Sequence, residues 1–132
     1  MVINPITVMP NVLVYEVAKL MRDKEIGSVI VVDKGKVLGI ATERDLVRRV
    51  LTGDRDLKTV RISEVMTSPV ISISQNEDIV DAAQLMKLRR IRRLIVIEEE
   101  KLVGIITSDD ITRNMKRAVE EFASMLILSH HI

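Results

Sequence analysis

Two threonine–aspartate pairs are the residues of this chain best suited to hold a ligand. Thr42 and Asp45 follow an apolar stretch three residues apart, and Thr107 and Asp110 repeat the arrangement. A hydroxyl and a carboxylate at this spacing are typical of a helix start. Backbone N–H groups and the positive end of the helix dipole meet there, so we expect capture of an anion rather than covalent chemistry.

The pairs belong to a seven-residue motif, G-h-h-T-x-x-D with h apolar, at residues 39–45 and 104–110. Two interpretations of the motif's aspartates stay open. They complete the helix cap alone, or the capped turn also directs its remaining N–H groups toward a ligand. Gly39 and Gly104 are equally open, since glycine marks a strand end or bulge, or lets a ligand approach the backbone closely.

The motif is part of a longer internal repeat. Residues 6–50 align with residues 71–115 without a gap at an offset of 65, and fourteen positions are identical. These are Ile6, Asn11, Ala18, Leu20, Met21, Ile26, Ile30, Val31, Lys36, Gly39, Ile40, Thr42, Asp45 and Arg48, each with its counterpart. An ungapped match of this kind predicts one supersecondary unit used twice, with a pseudo-twofold relation between the copies.

Each copy predicts the order β-α-β-β-α. A short extended piece precedes Asn11 or Asn76, which we expect to cap the first helix. Apolar residues then recur at helical spacing from Val14 and from Ile79. Continuous apolar strands at 29–32 and 94–97 indicate burial on both faces, and polar turns lead to second strands at 37–41 and 102–106.

The threonine-capped helix closes each copy. In the first copy we expect it to bury Leu46, Val47, Val50 and Leu51. In the second copy its apolar stripe from Ile111 to Leu126 is nearly twice as long, which fits a core face or a dimer contact. Residues 53–67 link the copies, with Ile62, Val65 and Met66 expected to pack. The expected domains are 4–60 and 66–124, followed by a helix end and tail at 125–132.

Composition narrows the possible functions. The 132 residues are 47% hydrophobic and 30% charged, with a net charge of +1 and no cysteine. This balance gives no general attraction to nucleic acid or membrane, and neither a signal peptide nor a membrane span is expected. The adjacent His130 and His131 are not expected to bind a metal. With no redox marker in either direction, we expect a cytoplasmic protein. Since no catalytic set of residues appears, we expect that it is not an enzyme and has no cofactor.

A basic run at residues 87–93 offers an alternative function. Five of its seven residues are lysine or arginine. The run fits a solvated helix C-terminus, where cations are favoured, or a contact with phosphate or nucleic acid. The alternative hypothesis is therefore an interaction protein that acts through dimerisation and this run, with vestigial clefts.

The doubled motif and the segment Met66-Thr-Ser-Pro69, followed by Val70-Ile-Ser-Ile, resemble a tandem pair of CBS domains, the family named after cystathionine β-synthase. The resemblance covers roughly residues 4–124. It implies an α+β fold in which two units pack sheet to sheet and leave two clefts. It also implies a regulatory module that binds AMP, ADP, ATP or S-adenosylmethionine, commonly as a homodimer, and signals to a regulated protein.

The resemblance also implies roles for individual residues. Thr42 and Thr107 would donate to phosphate, and Asp45 and Asp110 would accept from ribose hydroxyls. The implied ligand-binding set is Ile6, Thr7, Gly27, Ser28, Gly39, Thr42, Arg44, Asp45, Val70, Ile71, Ser72, Arg92, Arg93, Gly104, Thr107, Asp109 and Asp110. Copy two offers two arginines for phosphate but also places Asp109 beside Asp110, so the two clefts need not bind the same ligand.

Overall fold

The computed structural model describes residues 2–3 and 5–130 and contains both repeats in an α+β arrangement. Strand β1 (Val2–Ile3) precedes the first repeat, which comprises β2 (Thr7–Val8), α1 (Val14–Lys24), β3 (Ser28–Asp33), β4 (Lys36–Thr42) and α2 (Glu43–Leu46), continued by a π-helical turn, Val47–Leu51. After a 3₁₀ turn at Ile62–Glu64, the second repeat comprises β5 (Ser72–Ile73), α3 (Ile79–Arg89), β6 (Arg93–Glu98), β7 (Lys101–Thr107) and α4 (Ser108–His130). The predicted β-α-β-β-α order is confirmed in both copies.

The strands form two sheets with equivalent topology. One sheet has the order β2-β3-β4 and the other β1-β7-β6-β5. In each repeat the second and third strands form an antiparallel hairpin, and the short first strand pairs with the second in parallel. The predicted hairpin strands lengthen by one residue at each end, because pairing continues to the polar turn and to the motif threonine.

The buried residues divide into three apolar layers. Val29 and Val31 of β3 pack with α1 and the linker, and Leu94 and Val96 of β6 pack with α3 and α4. Between these layers a third cluster joins residues of both sheets, with Ile30, Ile95 and Ile105 at its centre. The central strands are therefore buried on both faces, as their apolar runs predict, and the two repeats pack sheet to sheet.

The segment before each repeat pairs with the last strand of the other repeat. Val2 of β1 lies opposite Ile105 of β7, in an antiparallel pair. At the equivalent positions, Thr67 lies opposite Ile40, with backbone N···O distances of 3.0 and 2.8 Å. The chain thus crosses between sheets twice, a connection that the repeat pattern does not predict.

Gly39 lies under this crossing. The β3–β4 pairing shifts register beside it, so the glycine follows a bulge, one of the alternatives left open above. A Cβ atom at Gly39 would lie 2.7 Å from the Met66 sulfur and 2.8 Å from the Thr67 carbonyl oxygen. The close approach at Gly39 is therefore made by the protein's own chain.

The expected asparagine caps are wrong. Helix α1 begins after Leu13, and its first N–H groups donate to linker carbonyls, from Val14 to Val60 at 2.8 Å and from Tyr15 to Leu57 at 3.0 Å. Helix α3 is capped by Asp78, which accepts from the Asp81 N–H. Linker carbonyls therefore accept from the first turn of α1 in place of Asn11, and Asp78 caps α3 in place of Asn76.

Burial of the closing helices also differs in part from the prediction. Leu46 and Val50 are buried, whereas Val47 and Leu51 are about half exposed, because the wider π-helical turn gives them a different face. In α4 Ile111 is buried, but Met115, Val119, Phe122 and Met125 are 53–68% exposed, so a core role for this stripe is wrong within this chain.

The linker packs as predicted, with Ile62 and Val65 fully buried and Met66 against them. Three positions in the expected boundaries lie outside the described residues. They are residue 4, where the first domain was expected to begin, and residues 131–132 of the tail.

Replacing Gly39 with alanine tests the crossing. We expect Gly39→Ala to destabilise the protein by about 1–3 kcal/mol, because the new methyl group must displace Met66 and Thr67. Urea unfolding at neutral pH measures the loss. Gly27→Ala is the matched control, since its Cβ would meet nothing closer than 3.6 Å. Equal stability of the two variants would contradict the close packing described here.

Candidate ligand-binding clefts

The first motif forms a complete capping box at the start of α2. The Thr42 hydroxyl accepts from the Asp45 N–H at 3.2 Å, and Asp45 Oδ2 accepts from the Thr42 N–H at 3.0 Å. Asp45 Oδ1 accepts from the Thr67 hydroxyl at 3.3 Å and lies 3.8 Å from Arg49 Nε. The aspartate therefore joins the helix tip, the strand end and the crossing linker.

The second motif repeats this cap with a more buried carboxylate. Asp110 Oδ2 accepts from the Thr107 N–H at 2.9 Å, Oδ1 accepts from Arg113, and the side chain is 9% exposed. Burial raises the pKa of Asp110, but hydrogen bonding by Thr107 and the charge of Arg113 outweigh it, so the pKa falls below the ordinary 3.8. Asp110 is thus held as a carboxylate.

The caps leave fewer free N–H groups than an open helix start. The Glu43 N–H donates to the Gly27 carbonyl at 3.0 Å, and the Ser108 N–H donates to the Arg92 carbonyl at 2.9 Å. Among the described first-turn amides of α2 and α4, those of Arg44 and Asp109 have no acceptor in the protein. The capping boxes that the spacing predicts are confirmed, and they leave one amide per tip for an anion.

Each helix tip faces the opposite repeat across a cleft of about 280 Å³. We name the clefts after their threonines. The Thr42 cleft is lined by Ile40, Thr42, Arg44, Asp45, Thr67, Arg90, Ile91, Arg92 and Arg93. The Thr107 cleft is lined by Pro5, Ile6, Ile26, Gly27, Ser28, Arg93, Ile105 and Thr107. Most of these residues correspond at the repeat offset of 65, so the two clefts are pseudo-equivalent.

The clefts unite many, but not all, of the residues named by the resemblance. Thr42, Arg44 and Asp45 meet Arg92 and Arg93 in one cleft, and Thr107 meets Ile6, Gly27, Ser28 and Arg93 in the other. The remaining residues line neither cleft: Thr7, Gly39, Val70, Ile71, Ser72, Gly104, Asp109 and Asp110.

The residues outside the clefts are held by the fold. Val70 packs in the layer between the sheets, and the Ile71 carbonyl accepts from the Ile95 N–H at 3.1 Å. Thr7 and Ser72 are exposed on short strands, and Gly104 is buried in β7 opposite Val96. Asp109 is exposed at the start of α4, outside the Thr107 cleft.

Several lining residues were missed by the sequence analysis. Thr67 enters the Thr42 cleft because the linker crosses there, and Arg90 enters because it ends α3 in the left-handed conformation at φ 56°. Ile26, Ile40, Ile91 and Ile105 add paired apolar walls. The repeat offset pairs these isoleucines, but their apolar character is equally typical of a core.

The basic run does not form one surface. Arg90, Arg92 and Arg93 line the Thr42 cleft, whereas Lys87 lies in a groove between α3 and α4. Arg89 lies in the last turn of α3 and lines neither the groove nor the clefts. A dispersed run gives little support to the nucleic-acid alternative, which needs a continuous basic surface.

The described residues offer neither a metal site nor a membrane-spanning helix. That part of the chain holds no group of three or more histidine, cysteine, aspartate or glutamate side chains placed to hold a metal ion. His131 and the side chain of His130 lie outside what the structure describes. None of the described helices is both long and apolar enough to cross a bilayer.

Comparison with known proteins agrees with the fold. The family model described as CBS domain matches residues 1–52 and 62–117. CBS domain-containing protein YhcV from Bacillus subtilis is 35% identical over 124 residues, which are 94% of this chain and 88% of YhcV. The chain belongs to the CBS-domain family, whose members are generally regulatory. The chain covers 55% of the length of a longer relative from Methanopyrus kandleri and 61% of one from Methanocaldococcus jannaschii.

Solved structures extend the likeness. A protein with CBS domains from Burkholderia ambifaria MC40-6 is 36% identical with a TM-score of 0.79, over 85% of this chain and 82% of that one. The CBS domain pair of protein MJ0100, solved with 5′-methylthioadenosine and S-adenosyl-L-methionine, is 32% identical with a TM-score of 0.74, over 84% and 91% of the two chains. The shared architecture is thus a tandem CBS pair.

The buried cap at Asp110 predicts a pH-dependent contribution to stability. A carboxyl whose pKa is lowered by folding stabilises the protein above its unfolded pKa, and this stabilisation disappears as the pH falls through the lower folded value. We expect Asp110→Asn to cost about 1 kcal/mol at pH 7, because a charge-assisted cap becomes a neutral one.

Urea unfolding between neutral pH and pH 3 measures this contribution. The difference between wild type and Asp110→Asn should shrink once the pH falls below 3.8. Asp109→Asn, an exposed neighbour outside the cap, should behave like wild type throughout. A difference that stays constant with pH would show that the Asp110 charge does not hold the helix tip.

Proposed function

We propose that the protein is a non-catalytic regulatory module that binds an adenine nucleotide or adenosyl compound in the clefts between its repeats. The observation that carries the proposal is the pair of equivalent clefts, each with a capped helix tip from one repeat facing strand β3 or β6 of the other. Support also comes from the MJ0100 domain pair, which was solved with two adenosine derivatives.

The lining residues offer suitable contacts for such a ligand. Paired isoleucines, Ile40 with Ile91 and Ile105 with Ile26, give each cleft two apolar walls for an adenine ring. The free first-turn amides are donors for phosphate, and the threonine hydroxyls, which donate to Asp45 and Asp110, join them once they turn from these carboxylates. In this proposal Asp45 accepts from the ribose hydroxyls in the Thr42 cleft, and Asp110 is its counterpart beside the Thr107 cleft.

Binding in such a cleft couples the repeats because both contribute to its walls. A ligand that touches both repeats favours the arrangement in which the walls are closest, and so shifts the population of conformations. We propose that this change of conformation reaches a second copy or a regulated protein through the exposed surface of α4.

Exposed apolar side chains on α4 support a homodimer. Met115, Val119, Phe122 and Met125 lie on one face of the helix, and Met115 borders a groove of about 200 Å³ that Ile79, Val80 and Ala83 of α3 also line. A face of this kind is unfavourable in water and is typical of a protein interface. We propose that two copies cover it by packing their α4 helices together.

Ligand binding should appear as thermal stabilisation. At a concentration one hundred times its Kd, a nucleotide adds about 2.7 kcal/mol to the unfolding free energy, which raises the melting temperature by about 8 °C. We expect this for at least one of AMP, ADP, ATP and S-adenosylmethionine at millimolar concentration. Differential scanning fluorimetry followed by calorimetry measures it.

Variants of the two capping aspartates serve as a matched pair. Asp45→Asn should weaken binding in the Thr42 cleft and spare the other cleft, and Asp110→Asn should do the reverse. If all four compounds leave the melting temperature of the wild type unchanged, the proposed function is wrong. If ligands bind but neither variant changes their affinity, the ribose contact is wrong.

A charge placed on α4 tests the dimer. Val119→Glu should convert a dimer to a monomer, because the interface would have to bury an unpaired carboxylate. Analytical ultracentrifugation at micromolar protein concentration reports the mass. Ser124→Glu adds the same charge about 140° around the helix, at 100° per residue, and should stay dimeric. A wild-type protein that is monomeric at high concentration would refute this interface.

A further inference from the structure

The two clefts differ sharply in charge although they are equivalent in position. Arg44, Arg90, Arg92 and Arg93 line the Thr42 cleft. At the offset of 65, the counterparts of these four arginines are Asp109, Glu25, Gly27 and Ser28. Four cations on one side thus correspond to two carboxylates and two uncharged residues on the other.

The arginines of the Thr42 cleft are not neutralised by the protein. Within the described residues, none of the four guanidinium groups forms a hydrogen bond or an ion pair. Other arginines do find partners, such as Arg55 with Glu64 at 3.0 Å and Arg113 with Asp110. Four unpaired guanidinium groups around one concave surface repel each other, and they create a positive potential that a bound polyanion relieves.

The acidic groups near the Thr42 cleft do not cancel this potential. Asp45 is the carboxylate that lines it, and its oxygens accept from the Thr42 and Thr67 hydroxyls and from the Thr42 N–H. Glu43 does not line the cleft. Its Oε1 lies 3.6 Å from the position of a Gly27 Cβ, and Arg93 Nη2 lies 3.8 Å from the same position. One engaged carboxylate therefore faces four free guanidinium groups.

The Thr107 cleft lacks three of these four donors. Its lining is mainly apolar, and Arg93 is its one cation among the described residues. The exposed carboxylate of Asp109 follows Thr107 at the position where Arg44 follows Thr42. An additional phosphate at this cleft would gain little from guanidinium groups.

We infer that the Thr42 cleft selects ligands by their phosphate charge and binds a nucleoside di- or triphosphate, whereas the Thr107 cleft does not. The inference rests on the proposed function for the adenosine part of the ligand. What it adds is the selectivity for phosphate charge, which follows from the four arginines of the Thr42 cleft, Arg44, Arg90, Arg92 and Arg93. Bidentate guanidinium–phosphate pairs are the contacts that would supply it.

Calorimetric titration of the full chain with adenosine, AMP, ADP and ATP tests this selectivity. We expect affinity at one site per chain to rise about tenfold with each phosphate added beyond AMP, as one further charge-assisted pair forms. The double variant Arg92→Gln/Arg93→Gln should remove this gradient while adenosine still binds. Arg44→Gln, an exposed change that leaves the β6 strand intact, should reduce it as well.

A control variant separates the cleft from general charge. Arg48→Gln/Arg89→Gln removes two exposed arginines that line neither cleft, and it should keep the full gradient. The reverse graft, Gly27→Arg/Ser28→Arg, should create a second ATP site per chain, since Gly27 has room for a side chain. Equal affinity for AMP and ATP in the wild type, or an unchanged gradient in Arg92→Gln/Arg93→Gln, would overturn the inference.

A titration with inorganic tripolyphosphate separates two outcomes, failure of the charge selectivity and failure of the proposed function. If adenosine compounds bind without a phosphate gradient, the selectivity is wrong and the adenosine site stands. If no adenosine compound binds, the proposed function is wrong, and the titration with tripolyphosphate at low salt then decides the charge selectivity. Binding that Arg92→Gln/Arg93→Gln abolishes would support it, and absence of binding would refute it.

Discussion

The exchange of leading segments between the repeats is the constraint on which the rest of the structure depends. β1 pairs with β7, and Thr67 pairs with Ile40, so neither sheet is completed by its own repeat alone. The shared layer around Ile30, Ile95 and Ile105 then has apolar residues on both sides. Together these contacts hold the helix tip of each repeat opposite the strands of the other repeat. Without them each cleft would be lined by one repeat only.

Local structure was predictable because its signals are local. Apolar runs and polar turns gave the two hairpins to within a residue, and the repeat offset gave their equivalence. The crossing was not predictable, since two-residue strands carry no periodic pattern and their partners are distant in sequence. The predicted cap of α1 was wrong for a related reason. Its first N–H groups donate to the backbone carbonyls of Val60 and Leu57, and a backbone acceptor can belong to any type of residue.

The site was predictable in its parts more than in its assembly. The threonines and aspartates of the motif form the capping boxes that their spacing indicates. The sequence did not show that the tip of one repeat faces the strands of the other. For this reason Arg92 could not be assigned to the Thr42 cleft, nor Asp109 placed outside both clefts, until the fold was known.

Arg93 lines both clefts, and this gives the pair of sites a common element. If both clefts bind ligands as we propose, a guanidinium that is engaged from one side is withdrawn from the other, so the free energies of binding at the two sites are coupled. By thermodynamic reciprocity, whatever the first ligand does to the affinity of the second, the second must do to the first. Under the proposed function the protein would therefore respond to a combination of two ligand concentrations, with Arg93 as the side chain that both clefts share.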